Sequence, residues 1–342
     1  MKKQRFGRTG LEVSRIALGG IPITRVSLDN AVAIVKEAIN SGINFIDTAH
    51  AYGDSEEKIG AAIQGMRRSD LVLASKSGAR DAQTLTTHLD LSLKRLGVDY
   101  LDIFQLHNIS VNSREQIFAP KGAFEGLVQA MQAGKVRFPA FSSHNVVLAV
   151  QIMKEGHFDA VQLPFNFIDT DAGHEAIPLA KELDMGFIAM KPLGGGLLND
   201  AGLSFRYLLQ FENIIPDPGI ETLEEIREIV QIVEADQPLS DEDKAAIEKL
   251  RSELSDSWCR RCDYCQPCSQ GIPISSVLKS KSLFRRFSAH AAQALMGKDM
   301  EKARSCIECL DCVPRCPYNL DIPALLKENI ADWEARIPKP VS

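Results

Sequence analysis

A parallel (β/α)8 barrel followed by a small, mainly α, cysteine-rich carboxyl-terminal domain is the architecture this sequence predicts. Three observations lead there. Eight short apolar runs recur between residues 15 and 220, with stretches of helical period between them. Polar, chemistry-bearing residues end the second, third and fourth runs, where such a barrel places its functional groups. All eight cysteines lie between Cys259 and Cys316, so the first 258 residues contain none.

The elements follow in order. "KKQRFGRTGLEVSR" reads as a hairpin placed before the first barrel strand. The strand candidates are "RIALGG", "INFID", "LVLASK", "LDIFQLH", "VRFPAFSSH", "AVQLPFN", "GFIAMKPL" and "IIPDPGI". Between them, "NAVAIVKEAIN", "SEEKIGAAIQGM", "LTTHLDLSLKRLG" and "TLEEIREIVQIVEA" carry the helical repeat, with Gly42 and Gly97 placed to reverse the chain at helix ends. Strand–helix alternation also suits a doubly wound open sheet, which is the alternative. "SDEDKAAIEKLRSEL" has Ser240 and Asp243 in a capping-like arrangement and predicts a charged helix leading out of the barrel. The expected domains are therefore a barrel over 1–238 and a linker helix with the cysteine domain over 239–342.

Composition narrows the class. With 342 residues, 45% of them hydrophobic, the chain can bury one large core and a small one. A net charge of −6 gives no reason to expect nucleic acid. No window approaches the roughly 18 apolar residues of a membrane span, and the amino terminus lacks a signal-length apolar run, so a cytoplasmic location is expected.

Asp47 ends "INFID", Lys76 ends "LVLASK" and His107 ends "LDIFQLH", while Tyr52 lies in the loop "DTAHAYGDSEEKIG". Singly, these residues have structural explanations: a helix cap, a solvated strand end, a satisfied core histidine. Together, on successive strands, they converge on one rim.

"FGRTGLEVSRIALGG", "GINFIDTAHAYGDSEEKIG", "LASKSG", "LDIFQLHN", "GKVRFPAFSSHN", "VQLPFN" and "MKPLGGGLL" resemble, in order, the landmarks of the aldo/keto reductases over residues 5 to about 230. The resemblance implies nicotinamide-dependent interconversion of a carbonyl and an alcohol, with Asp47, Tyr52, Lys76 and His107 as the catalytic tetrad. The chemistry is coherent. A tyrosine with its ordinary pKa of about 10 is a reluctant acid, and a neighbouring ammonium makes it a better one. Lys76 would supply that charge, Asp47 would hold Lys76, and His107 would donate a hydrogen bond to the substrate oxygen.

The resemblance further implies nicotinamide contacts at Ser142 and Gln162, an aromatic platform at Phe165, close backbone approach at Gly194, Gly195 and Gly196, and a contact at Thr222. The sequence departs from the family at Ser143, where an asparagine is usual, and at Phe165, where a tyrosine is. NADP is the family's usual cofactor. Here the turn "PGIETLEEIREI" carries Glu221, Glu224 and Glu225 against Arg227 alone, which suits the ribose hydroxyl of NAD. Thr222 and Glu225 also have capping-box spacing, a purely structural explanation for the same residues.

The cysteines form two runs, "CRRCDYCQPC" and "CIECLDCVPRCP". The second has the C-x2-C-x2-C-x3-C-P spacing of bacterial ferredoxins, in which the fourth cysteine of each run ligates the other cluster. Cys259, Cys262, Cys265 and Cys316 are thus assigned to one 4Fe-4S cluster, and Cys306, Cys309, Cys312 and Cys268 to a second. Two tetrahedral zinc sites and disulfides are the competing assignments.

Hydride carries two electrons and each cluster one, so the clusters are structural staples, redox sensors gating the reductase, or electron-transferring centres. Lys279, Lys281, Arg285 and Arg286, between the runs, offer a surface for an acidic, ferredoxin-like electron carrier, or simply a solvated helical face. Alternatives for the whole chain are an electron-transfer or redox-sensing protein using the barrel as a platform, and an isomerase or dehydratase that retains its nicotinamide.

Overall fold

The computed structural model describes residues 1–254, 257–260, 264–284, 288–316 and 318–337. The chain divides into two compact units, Met1–Ser240 and Asp241–Ser342.

In the first unit, β1 (Lys3–Arg5) and β2 (Glu12–Ser14) pair as an antiparallel hairpin, as the sequence suggests. Eight parallel strands follow in sequential neighbour order: β3 (Leu18–Gly19), β4 (Phe45–Asp47), β5 (Val72–Ser77), β6 (Leu101–Leu106), β7 (Val136–Ser142), β8 (Ala160–Pro164), β9 (Gly186–Met190) and β10 (Ile214–Asp217). The ends of this ring meet. Ala17 N donates to Pro216 O at 2.9 Å, Gly19 N donates to Pro218 O at 2.8 Å, and Gly19 bridges Gly219 in parallel. Glycine is needed at 19, because an added Cβ would lie 2.8 Å from Pro218 O. The sheet is a barrel, and the open doubly wound alternative is excluded.

Helices between the strands begin and end where side chains satisfy their free backbone groups. Ser27, Asp81, Asn145, Asp200 and Thr222 each accept a hydrogen bond from a first-turn N–H. Gly97 ends the helix Ala82–Leu96 with φ 68°, and Gly42 takes φ 88° after Leu28–Asn40.

The barrel interior is filled by Phe45, Val72, Ala74, Ile103, Ala140, Ala160, Ile188 and Ile215, with Phe6, Leu11 and Val13 of the hairpin region in the same cluster. Successive strand residues alternate faces, so the residue two further along each strand also points inward. That rule places Asp47 after Phe45, Lys76 after Ala74, Gln105 after Ile103, Ser142 after Ala140, Gln162 after Ala160 and Asp217 after Ile215. An apolar plug thus gives way to a polar layer at the carboxyl-terminal mouth.

The second unit opens with the charged helix Asp241–Leu254 and continues with Ile274–Val277, Ser280–Leu283, Ala289–Ala303 and Ile322–Arg336. Its core joins Ile272, Val277, Met296, Met300, Leu326 and Trp333 to Cys265 and Cys316. Among the described residues, no helix is long and apolar enough to cross a membrane.

Candidate active site and cysteine cluster

Asp47 is the hub of the polar layer. Its Oδ1 accepts from Gln105 Nε2 at 3.1 Å, and its Oδ2 accepts from Lys76 Nζ and from Gln162 Nε2, the latter at 3.1 Å. Lys76 Nζ also donates to Thr48 O at 2.7 Å. Both partners of this ion pair are about 2% exposed, so neither charge is solvated by bulk water. Burial pulls the Lys76 ammonium toward neutrality, but Asp47 and then Tyr52 outweigh it and hold the group above its ordinary value.

Tyr52 reaches the site from a turn in which its N–H donates to Ala49 O and its carbonyl accepts from Ser55 N, each at 2.9 Å. Lys76 Nζ lies 5.1 Å from the Tyr52 ring centroid. The ring meets His107 edge-on, with centroids 5.9 Å apart and planes at 82°. Asp47, Tyr52, Lys76 and His107 are therefore brought together at one mouth of the barrel. Burial, followed by the charges of Lys76, Arg80 and Lys191, holds His107 down at about 3. Its imidazole is neutral at pH 7, able to donate one hydrogen bond but not to act as an acid.

Several residues here escaped the sequence reading. Gln105 and Asp217 share the inward register of Asp47 and Gln162, which was the available signal. Arg80 donates to the carbonyls of His107 and Asn108, each at 3.1 Å. Lys191 Nζ sits 2.6 Å from His144 Nε2, while His144 Nδ1 lies 3.1 Å from Asn108 Oδ1. With the ammonium donating, His144 accepts at Nε2 and donates from Nδ1 to the amide oxygen. Lys191 immediately follows β9, at the same strand end that marks the tetrad residues.

The residues expected around a nicotinamide behave differently from one another. Gln162 Oε1 is buried without a hydrogen-bond partner beside Asp47, an acceptor left over for a donor such as a carboxamide N–H. Ser142 Oγ accepts from Asn108 N at 2.9 Å, whereas Ser143 turns its hydroxyl to Ile109 O at 2.8 Å. Gly194, Gly195 and Gly196 have φ 56°, 72° and 90°, a left-handed run that L side chains rarely adopt. Gly194 N and Gly196 N already donate to Lys191 O and Leu193 O, so these two amides shape the loop.

Phe165, expected as the aromatic platform, is buried among other rings. It is 0% exposed, with its ring 4.8 Å from Phe211 and 5.9 Å from Tyr207, and an added Cβ on Gly173 would lie 2.9 Å from its edge. Phe165 lies just past β8 and three residues after Gln162, off the inward register of Ala160 and Gln162, and it packs among helices.

At the turn into the last barrel helix, Thr222 Oγ1 accepts from Glu225 N at 3.1 Å. Glu225 Oε2 accepts from Glu221 N at 2.7 Å and Thr222 N at 3.2 Å, completing a capping box. Glu221 pairs with Arg25, and Arg227 pairs with Glu37 at 2.8 Å. Both nearby guanidinium groups are thus engaged by carboxylates.

In the second unit, Cys268, Cys306, Cys309 and Cys312 line one cavity with Ile274, Arg315 and Leu326. Glu308 and Leu310 take φ 54° and 64°, wrapping the loop that carries three of these thiols. Burial and then the proximity of Cys309, Cys306 and Cys268 push the Cys312 thiol up. Four cysteine thiols gathered in one cavity fit an iron–sulfur centre, which thiolates ligate. Cys265 and Cys316 are buried in the core, with Cys259 packed against it. Cys262 lies outside the described residues, as do Arg285 and Arg286 of the basic cluster. None of the seven described cysteines is in a disulfide.

A closed (β/α)8 barrel with an ionisable cluster at its carboxyl-terminal mouth defines a barrel enzyme. Residues 15–204 match the Aldo/keto reductase family, and the chain belongs to it; it is an oxidoreductase. Residues 258–321 match the 4Fe-4S dicluster domain. The chain is 31% identical over 217 residues to the uncharacterized oxidoreductase YqkF of Bacillus subtilis (strain 168), covering 59% of this chain and 68% of that protein. It is 31% identical over 215 residues to L-galactose dehydrogenase of Arabidopsis thaliana, covering 58% and 67%. Among solved structures, aldo-keto reductase AKR11C1 from Bacillus halodurans superposes with TM-score 0.63 at 25% identity, covering 73% of this chain and 96% of that one. An aldo-keto reductase from Klebsiella pneumoniae in complex with NADPH shares the fold, with TM-score 0.62 at 23% identity over 73% of this chain and 95% of that one.

Proposed function

We propose that the barrel interconverts a carbonyl and an alcohol with a nicotinamide cofactor, using Tyr52 as general acid and base. The observation that carries this reading is the convergence of Tyr52, the Lys76–Asp47 ion pair and a neutral His107 on one mouth. When bound, the nicotinamide supplies or accepts the hydride. The orphaned Gln162 Oε1, the Ser142 hydroxyl and the glycine loop fit such a group.

The chain's own residues handle the proton. Tyr52 raises the Lys76 ammonium's hold on its proton, and by reciprocity the ammonium favours the Tyr52 phenolate. Tyr52 gives its proton to the carbonyl oxygen during reduction and takes it back during oxidation. Neutral His107 donates to that oxygen and orients it, while Asp47 keeps Lys76 in place. His107 does not compete as the acid, because its second ring nitrogen stays unprotonated at working pH.

The paired Arg25 and Arg227, and the Glu225 carboxylate on the helix amino end, favour NADH over NADPH. For the second unit we propose two 4Fe-4S clusters with the ligand sets given by the spacing. Their first role is to staple a small domain, a reading supported by Cys265 and Cys316 within its core. The domain boundary near residue 238 belongs to the same proposal.

Anaerobically purified protein, supplied with NADH or NADPH and screened against aldehydes, ketones and sugars, tests this function. Nucleotide oxidation that depends on a carbonyl is expected. Protein that binds nucleotide yet oxidises it with no carbonyl would defeat the reductase reading.

A further inference from the structure

Asp217 ends β10, two residues beyond the interior Ile215, and is 9% exposed in the same polar layer as Asp47 and Lys76. A single nitrogen, Gln162 Nε2, donates to Asp47 Oδ2 and to Asp217 Oδ2 at 3.1 Å each, tying the two carboxyl groups into one cluster. Lys76 is ion-paired with Asp47, so of the two carboxyl groups Asp217 is the one left without a cation and the one to hold a proton.

The charge count agrees. One ammonium faces two buried carboxyl groups, and a second ionised carboxylate would be uncompensated. Burial, then the charge of Asp47, pushes Asp217 well above the usual carboxylate range, against the pull of Lys76. The charged groups facing it are Asp47 from β4 and Lys76 from β5. Gln162 from β8 brings no charge, and on β3 Gly19 approaches so closely that an added Cβ would lie 3.0 Å from Asp217 Oδ1.

We propose that Asp217 is a positioning residue, a neutral carboxylic acid beside Asp47 that leaves a single carboxylate to hold Lys76 while Tyr52 exchanges its proton. Its consequence for turnover rests on the reductase reading; its protonation state does not. While Asp217 is neutral, one carboxylate offsets the Lys76 ammonium. Once Asp217 ionises as pH rises, a second negative charge faces Lys76, and the phenolate of Tyr52 loses support. Alcohol oxidation needs that phenolate, so its rate should fall at the alkaline end.

Two readouts on the full, anaerobically purified chain test this. The infrared difference spectrum of wild type minus Asp217→Asn at pH 7 should contain the C=O stretch of a protonated carboxylic acid. The same band, followed in wild type alone, should vanish as pH rises, which keeps the test intact even if the variant folds poorly. Absence of the band at pH 7 overturns the proposal whatever the enzyme turns over.

The second readout is the pH profile of kcat for alcohol oxidation. Wild type should lose at least about threefold at the alkaline end, and Asp217→Asn should lack that fall. A profile of unchanged shape, lowered equally at every pH, would make Asp217 a packing residue and overturn the positioning role. If no alcohol is oxidised and no carbonyl reduced, the reductase reading fails, and the infrared band still decides the state of Asp217.

Discussion

Acidification should destabilise this barrel through His107, by an amount that follows from its surroundings. In the folded chain His107 stays neutral down to about 3, held there by burial and by Lys76, Arg80 and Lys191. In the unfolded chain it protonates near its ordinary value of about 6.5. The unfolded state therefore binds more protons between these values, so stability is full above about pH 6.5 and is lost as pH falls below it. At pH 5, about 1.5 units below the unfolded value and at about 1.4 kcal/mol per unit, the loss is about 2 kcal/mol. That figure is an upper one, since the imidazole is half-buried and water screens part of the field. The assay is anaerobic urea unfolding of wild type and His107→Gln, followed by ellipticity at pH 7 and pH 5. Wild type should lose up to about 2 kcal/mol more than the variant on acidification, other groups cancelling in the difference. Equal losses would mean that His107 is not held neutral, and its assignment as a neutral hydrogen-bond donor would fall.

Other outcomes follow from the same geometry. Lys76→Met leaves Asp47 buried without its cation and should cost about 3–5 kcal/mol of stability in thermal or urea unfolding; a loss under about 1 kcal/mol would show that Gln105 and Gln162 suffice. Catalytic efficiency should favour NADH by about tenfold, because carboxylates already engage both guanidinium groups at this turn, Arg25 and Arg227. A preference for NADPH would reduce the glutamates to helix caps. Anaerobic protein should contain about eight iron atoms per chain and absorb near about 400 nm, and removing the iron should melt helical signal from the second unit; zinc at two atoms per chain would contradict the cluster assignment.

The barrel was legible because a buried parallel strand and an amphipathic helix impose different periods on the sequence, and all eight apolar runs became strands. Asp47, Lys76 and His107 stood out because each breaks an apolar run at its carboxyl end. Gln105 and Asp217 lie within or beside such runs and look like ordinary strand residues until the inward register is known. Asp217 is flanked by Pro216 and Pro218, so the stretch reads first as a turn. The surroundings of Phe165 were not readable from its place in the run: it lies just past Pro164, and its ring packs toward Tyr207 and Phe211, which come from more than 40 positions further along the chain. Lys191 and His144 meet across 47 positions of sequence, and no local pattern announces such a pair. The capping box at Thr222 was readable from spacing alone, because its hydrogen bonds span only three residues.

Carbonyl reduction at this site turns on the phenolic proton of Tyr52. Single-turnover hydride transfer from bound NADH to a carbonyl, measured for wild type and Tyr52→Phe at matched nucleotide occupancy, probes it without interference from product release. A rate about 100- to 10,000-fold lower in Tyr52→Phe, with nucleotide affinity unchanged, is the expected result. A variant that transfers hydride as fast as wild type would assign the proton to another group and contradict the mechanism.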